Sequence, residues 1–397
     1  MSLLHYITYK LVVIRDKRLG TIYYTFVAAI ILFTLVEIFV FKGYLEYDTS
    51  PEGTMRILVS DPKDDNDNHP VIKTHVPSYC CKGNANRTCS LCEYIDAQEL
   101  SWPIESHTIN LMTFGKDRWQ VKQRNDSFLK QEFVNIREKK YFTVNPEEVM
   151  IKVEHSIVAT RFTRKSGKEQ VAASQRSMKG YLYDAQGKII QSIPATNFKK
   201  PGLGQADKLT VQELLNAAGI DSLEQPSDAL NAKGKSFRRH GMVLHVGICY
   251  HNTETTLIGT GNIEYSYHVR RIPYADYRIN QVIPIIGADD FSFTDDKTLT
   301  RPEKRLFRKR YGIKIEFHQS GKLGRFSLPA LLLKLVSGVG LLTLTATIVD
   351  TAALYLLPDR FQYREFVYEE SPVIDKRRCK GGEQRSDETA TKSKKES

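Results

Sequence analysis

The sequence predicts a membrane protein in which two transmembrane helices flank a large β-rich domain on the far side of the bilayer. Three observations carry this: two long apolar runs, basic residues on their terminal sides, and alternating strand patterns between them. The first run, residues 21–41, reads TIYYTFVAAIILFTLVEIFVF. As a helix it spans roughly 30 Å, the thickness of a bilayer core. The second, residues 328–357, is long enough to cross with tilt or a bend. A cleaved signal peptide fits the first run poorly, because the run is too long, carries Glu37 near its end and lacks a small-residue cleavage site. A buried soluble helix fits the second poorly, because few core helices reach that length.

Orientation follows from the flanks. Lys10, Arg15, Lys17 and Arg18 precede the first span, and Arg360, Arg364, Lys376, Arg377 and Arg378 follow the second. The positive-inside rule then places both termini in the cytoplasm. Residues 1–20 form a cytoplasmic arm, 42–327 an extracellular or lumenal domain, and 358–397 a cytoplasmic tail. The tail is charged and apolar-poor from about 376, a composition that predicts disorder. Part of the formal net charge of +11 sits on these flanks and in the tail. The partner it implies is membrane lipid and not nucleic acid.

Two sequons, at Asn86 and Asn125, fit a lumenal or extracellular domain as glycosylation acceptors. Five of the six cysteines fall there: Cys80, Cys81, Cys89, Cys92 and Cys249. An oxidising compartment favours disulfides among them. A zinc site is disfavoured, because Cys80 and Cys81 are adjacent and fit a tetrahedral shell badly. The first four cysteines define a small lobe near residues 78–92. Five is odd, so at least one thiol is free or pairs between chains. Cys379, in the tail, is a plain thiol or a palmitoylation site.

Between the spans, period-two alternation predicts short strands at 107–114, 149–157, 242–249, 264–270 and 311–317. Leu209–Ala218 (LTVQELLNAA) has helical spacing at Val211, Leu214, Leu215 and Ala218 and stops at Gly219.

Four stretches, in order, resemble the ATP-gated purinergic receptor (purinoceptor) cation channels. They are Tyr6-Ile7-Thr8-Tyr9-Lys10 before the first span and Lys42-Gly43-Tyr44 with Glu46 and Asp48 after it. Then come Lys309-Arg310-Tyr311-Gly312-Ile313-Lys314, leading into Gly321–Phe326, and Ser337-Gly338 through Asp350, followed by Tyr363-Arg364-Glu365. The sequence looks like a divergent member, with fewer outer cysteines than the animal channels. The resemblance implies a homotrimer that opens a non-selective cation pore when extracellular or lumenal ATP binds between subunits. It implies no cofactor and no metal, and places the protein in the plasma membrane or an intracellular vacuole membrane.

Carried over residue by residue, the resemblance makes Lys309, Arg278, Lys152 and one of Arg56 or Lys73 the ATP-binding cations. Arg278 rests on matching Asp276-Tyr277-Arg278 to the family's Asn-Phe-Arg; Asp290-Phe291-Ser292 is the other alignment. Holding ATP requires several convergent cations, since single exposed pairs contribute little. In the second span, Val339, Thr343, Thr347 and Asp350 share one helical face and form the candidate pore lining. An acid within an apolar span is a functional candidate by default. No Gly-x-x-x-x-Gly-Lys-Ser/Thr loop is present, which argues against a P-loop enzyme. The alternatives are a two-span ecto-nucleotidase and a non-channel membrane glycoprotein.

Overall fold

A computed structural model describes residues 16–61, 77–81, 91–122, 132–162, 171–174, 177–195, 206–253, 260–285 and 304–367. In chain order its helices and strands begin with α1 (Lys17–Phe39), β1 (Leu45–Asp48), β2 (Glu52–Ser60), β3 (Cys92–Glu93) and α2 (Ala97–Leu100). Next are β4 (Thr108–Lys122), β5 (Phe133–Thr143), β6 (Met150–Val158), β7 (Ala172–Ser174), β8 (Lys179–Tyr183), β9 (Ile189–Ile193) and β10 (Asp207–Thr210). The rest are α3 (Val211–Ala217), α4 (Phe237–His240), β11 (Met242–His251), β12 (Glu264–Arg271), β13 (Arg278–Ile285), β14 (Lys304–Phe326), α5 (Leu328–Tyr355) and α6 (Arg360–Val367). The chain forms two units, Met1–Tyr44 with Leu328–Ser397, and Leu45–Ser327.

The first unit is built on α1 and α5. Both are long and apolar enough to cross a membrane. Large apolar side chains stand exposed along each, among them Phe26, Leu32 and Phe33 on α1 and Leu333, Val336 and Val339 on α5. A soluble core helix would bury them; a helix apolar all round and exposed has lipid for its solvent. α1 stops at Phe39, short of the apolar Val40 and Phe41, because Lys42 takes a left-handed conformation at φ 52° and turns the chain. The helices meet where Gly338 leaves room for Thr34. Lys334 donates to Glu37 at 2.7 Å, so these two charges pair with each other. Toward the termini, Leu19, Val349, Ala353, Leu354 and Tyr363 form a small buried cluster.

Among its described residues the second unit contains two sheets. One has ten strands, with β3-β5-β4-β14-β11-β12-β8-β9 as its main path, and β1 and β13 both on β14. The other has the order β10-β6-β2, with β7 on β6. One core joins them, including Ile151 and Val153 of β6, Leu244 and Val246 of β11, Ile313 and Ile315 of β14, and Leu214 and Leu215 of α3. Its size follows from strict alternation: β6 and β11 bury every second residue. α3 starts at a capping box in which Thr210 and Glu213 exchange side-chain and backbone bonds. The helix is shorter than the sequence pattern suggests, because Leu209 and Thr210 belong to β10.

β14 is the longest strand among the described residues, at 23 residues, far beyond the expected 311–317. Gly312 permits this, since a Cβ there would overlap the Leu111 carbonyl. Cys80 and Cys92 are disulfide-bonded, and Cys81 is also in a disulfide. Cys249 is a free thiol, which corrects its place among the disulfide candidates. It lies on β11 between Ser266 of β12 and Ser320 of β14, with its sulfur 3.3 Å from the Ser320 hydroxyl. Cys89, the sequons at Asn86 and Asn125, and Lys73 lie outside the described residues.

Candidate ligand-binding site and pore

Lys309 lies in β14 between two arginines, and strand alternation separates it from both. Arg308 donates to both oxygens of buried Asp117 at 2.9 and 3.0 Å, and to Glu99 at 2.6 Å. Arg310 is 2% exposed and donates to Gln281 at 2.7 Å and to the Glu99 carbonyl at 2.8 Å. These two cations are structural. Lys309 points to the other face, and its side chain makes no hydrogen bond or ion pair with any described residue.

The register sets Asn280 of β13 and Lys116 of β4 beside Lys309. Lys116 pairs with Glu138 at 3.1 Å, and the same carboxylate takes Lys140 and Arg118 at 3.1 and 2.9 Å. Hydrogen bonds from Lys140, Lys116 and Arg118 hold the Glu138 carboxyl down at about 2. That acid is fully engaged by its own row. Arg278 opens β13 opposite Tyr311, so it shares Lys309's face as a diagonal neighbour. It is exposed, and its Nε lies 3.8 Å from Asp276.

A second basic group occupies the outer face of the small sheet. Lys152 of β6 stands opposite Leu58 of β2 and Lys208 of β10. Arg56 of β2 stands opposite Glu154 at a loose 3.8 Å. Two lysines directly opposite on neighbouring strands repel each other, and neither has a partner among the described residues. Lys208 is absent from the sequence-level candidates. Its only signal is its alternation with buried Asp207 and Leu209. The structure thus brings Arg278 together with Lys309, and Arg56 together with Lys152 and Lys208, on two different sheets.

On α5, Val339, Thr343, Thr347 and Asp350 are all exposed. The residues buried on this helix include Gly338, Thr345 and Val349, on a different face. Thr343 and Thr347 bond back to the carbonyls one turn earlier, at 3.2 and 3.4 Å. Their hydroxyl oxygens keep the capacity to accept from water.

Among known proteins, a family model described as ATP P2X receptor matches residues 289–370. P2X receptor E of Dictyostelium discoideum is 30% identical over 381 residues, covering 94% of this chain and 89% of that one. The chain belongs to the P2X receptor family. P2X receptor C of the same organism is 28% identical over 371 residues, 93% of this chain and 91% of that one. A crystal structure of the chicken ATP-gated P2X7 receptor channel, with the competitive antagonist TNP-ATP, has a TM-score of 0.49 at 12% identity and covers 84% of this chain and 99% of that one. P2X receptors are trimeric ATP-gated cation channels, not enzymes, so the ecto-nucleotidase and non-channel readings fall away.

Proposed function

We propose that this P2X receptor binds ATP between neighbouring subunits, with Lys309 and Arg278 of one subunit and Lys152, Lys208 and Arg56 of the next converging on the phosphates. The observation that carries this reading is the division of these cations, at most loosely paired, between two sheets of the same chain. ATP brings about four negative charges, more than either group alone offsets with good geometry. Arginine supplies a bidentate fork and the lysines act as point charges.

Opening is a shift between two states. β14 carries Lys309 near its start and reaches Phe326, with a single residue, Ser327, between it and α5. At the usual strand rise that is a rod of roughly 55 Å. β1, which follows α1, pairs with the end of β14 from Leu45↔Phe326 to Asp48↔Leu323. Drawing the ligand cleft closed therefore pulls on the chain entering both spans. Three α5 helices surround the pore with Val339, Thr343, Thr347 and Asp350 inward, and the valine ring closes the path by dewetting. Both termini are cytoplasmic, and residues 45–327 face the outside or the lumen of a vacuole.

Mixed trimers test the shared site. Lys309→Ala and Lys152→Ala subunits are each expected to respond weakly to ATP when expressed alone. Expressed together, they form some clefts with both wild-type halves, and sensitive currents return. Failure of mixing to restore any sensitivity, with both subunits shown to co-assemble, would overturn the shared cleft.

A further inference from the structure

Beneath the Lys152–Lys208 pair, the core that joins the two sheets holds a chain of polar side chains. Strand alternation puts them there. On β10, Lys208 faces out and Asp207 faces the core; on β6, Lys152 faces out and His155 faces the core. Asp207 stands opposite Val153, so His155 is its diagonal neighbour. Tyr265 and Tyr267 of β12 both donate to Asp207 Oδ2 at 2.7 Å. His155 Nε2 lies 3.4 Å from the same oxygen. On its other side, His155 Nδ1 lies 3.0 Å from the Tyr250 hydroxyl of β11. Gln319 of β14 donates to that hydroxyl at 2.8 Å and to the Ser156 carbonyl of β6 at 3.3 Å. Gly180 of β8 leaves room for this arrangement, since a Cβ there would overlap the Tyr265 ring.

The donors run in one direction. Burial, then the Asp207 charge, pushes the Tyr265 and Tyr267 hydroxyls well above the ordinary tyrosine range. Both therefore keep their protons and donate them. The Tyr250 oxygen accepts from Gln319, which leaves its proton for His155 Nδ1. The imidazole hydrogen is then on Nε2, facing Asp207. A buried carboxylate needs such donors, and losing one is costly. Only one register of β10 on β6 satisfies them, because a slip of one residue would turn Asp207 outward and Lys208 into the core. The pin matters most at β10. That strand is four residues long, ends the strand order of its sheet and sets a lysine directly opposite another.

We propose that Asp207 and His155 are positioning residues for the ligand site: through Tyr265, Tyr267 and Tyr250 they fasten the strands bearing Lys208 and Lys152 to the large sheet, and so hold these two lysines together, against their repulsion, for one polyphosphate. The inference rests on the ATP reading above. Neither residue touches the ligand. Each acts through the lysine on the outer face of its own strand. Loss of a donor to Asp207 lets β10 shift, and the two lysines splay. ATP then loses well-placed charge-assisted contacts there, while Lys309 and Arg278 on the other half of the cleft are untouched.

The test is ATP concentration–response in full-length trimers carrying Tyr267→Phe, alone and combined with Lys208→Ala or Lys309→Ala. The change removes one hydroxyl and keeps the ring. Tyr267→Phe is expected to raise the half-maximal ATP concentration several-fold and to leave single-channel conductance unchanged. Its effect should shrink sharply in the Lys208→Ala background and persist in full in the Lys309→Ala background, because only the first shares its route. Tyr250→Phe, which removes the donor to His155, should depend on Lys152 in the same way. Tyr265→Phe removes the other donor to Asp207 and carries the test should Tyr267→Phe fail to assemble. Equal effects in the two lysine backgrounds, or wild-type sensitivity in all the tyrosine variants, would overturn the proposal and leave the ATP site standing. No ATP response or ATP binding in the wild type would instead remove the ATP reading, and this proposal with it.

Discussion

Arg308, Lys309 and Arg310 are adjacent in sequence and differ completely in surroundings. Alternation buries the two arginines against Asp117, Glu99 and Gln281 and leaves Lys309 on the opposite face. Lys309→Ala is therefore expected to raise the ATP concentration for half-maximal response more than tenfold, the worth of one charge-assisted phosphate contact. Lys304→Ala, at the exposed start of β14 on the arginine face, is expected to change it little; equal effects would place the site elsewhere. Arg308→Ala tests the structural role. It strands buried Asp117, a change that destabilises by about 3–5 kcal/mol. Thermal unfolding of the solubilised trimer should show this, against a near-neutral Arg118→Ala. Of this site, Lys309 was legible in sequence because its neighbours match a family strand. Lys208 was not, because its significance lies in its pairing with Lys152 on a distant segment.

At the scale of elements, legibility followed periodicity. β6 and β11 bury alternate residues and were visible as strands. β14 was seen only in its middle, because its ends carry charged residues whose partners lie on other strands. β5 was missed altogether: FVNIREKKYFT is mostly exposed and shows no apolar alternation. On the helices, the Val339–Thr343 face of α5 differs from the face buried at Gly338, Thr345 and Val349. A cysteine at position 343 is expected to be blocked by water-soluble thiol reagents only in the open channel. Unchanged current, with labelling demonstrated elsewhere, would put Thr343 outside the pore. The Glu37–Lys334 pair joins α1 to α5 at 2.7 Å. Lys334→Glu should impair assembly or gating by setting two acids together, and adding Glu37→Lys should restore it; independent, additive effects would show that the pair is not coupled.

For the whole molecule, the two spans were the clearest sequence signal, since length and apolar composition alone mark them. The outer domain's β character was also legible. Its division into a ten-stranded and a four-stranded sheet was not, because sheet order depends on pairings such as parallel β11 on β14. β14 ties these parts together: it carries Lys309, proposed to contact the ligand, and ends at Phe326, with Ser327 between it and α5. The central claim is that ATP on one side of the membrane opens a cation path. The direct measurement is single-channel recording of the purified protein in a planar bilayer, with ATP added to each side in turn. The account predicts cation-selective openings only when ATP reaches the side that holds residues 45–327. Silence with ATP on either side, from protein shown to be folded, trimeric and inserted, would contradict it.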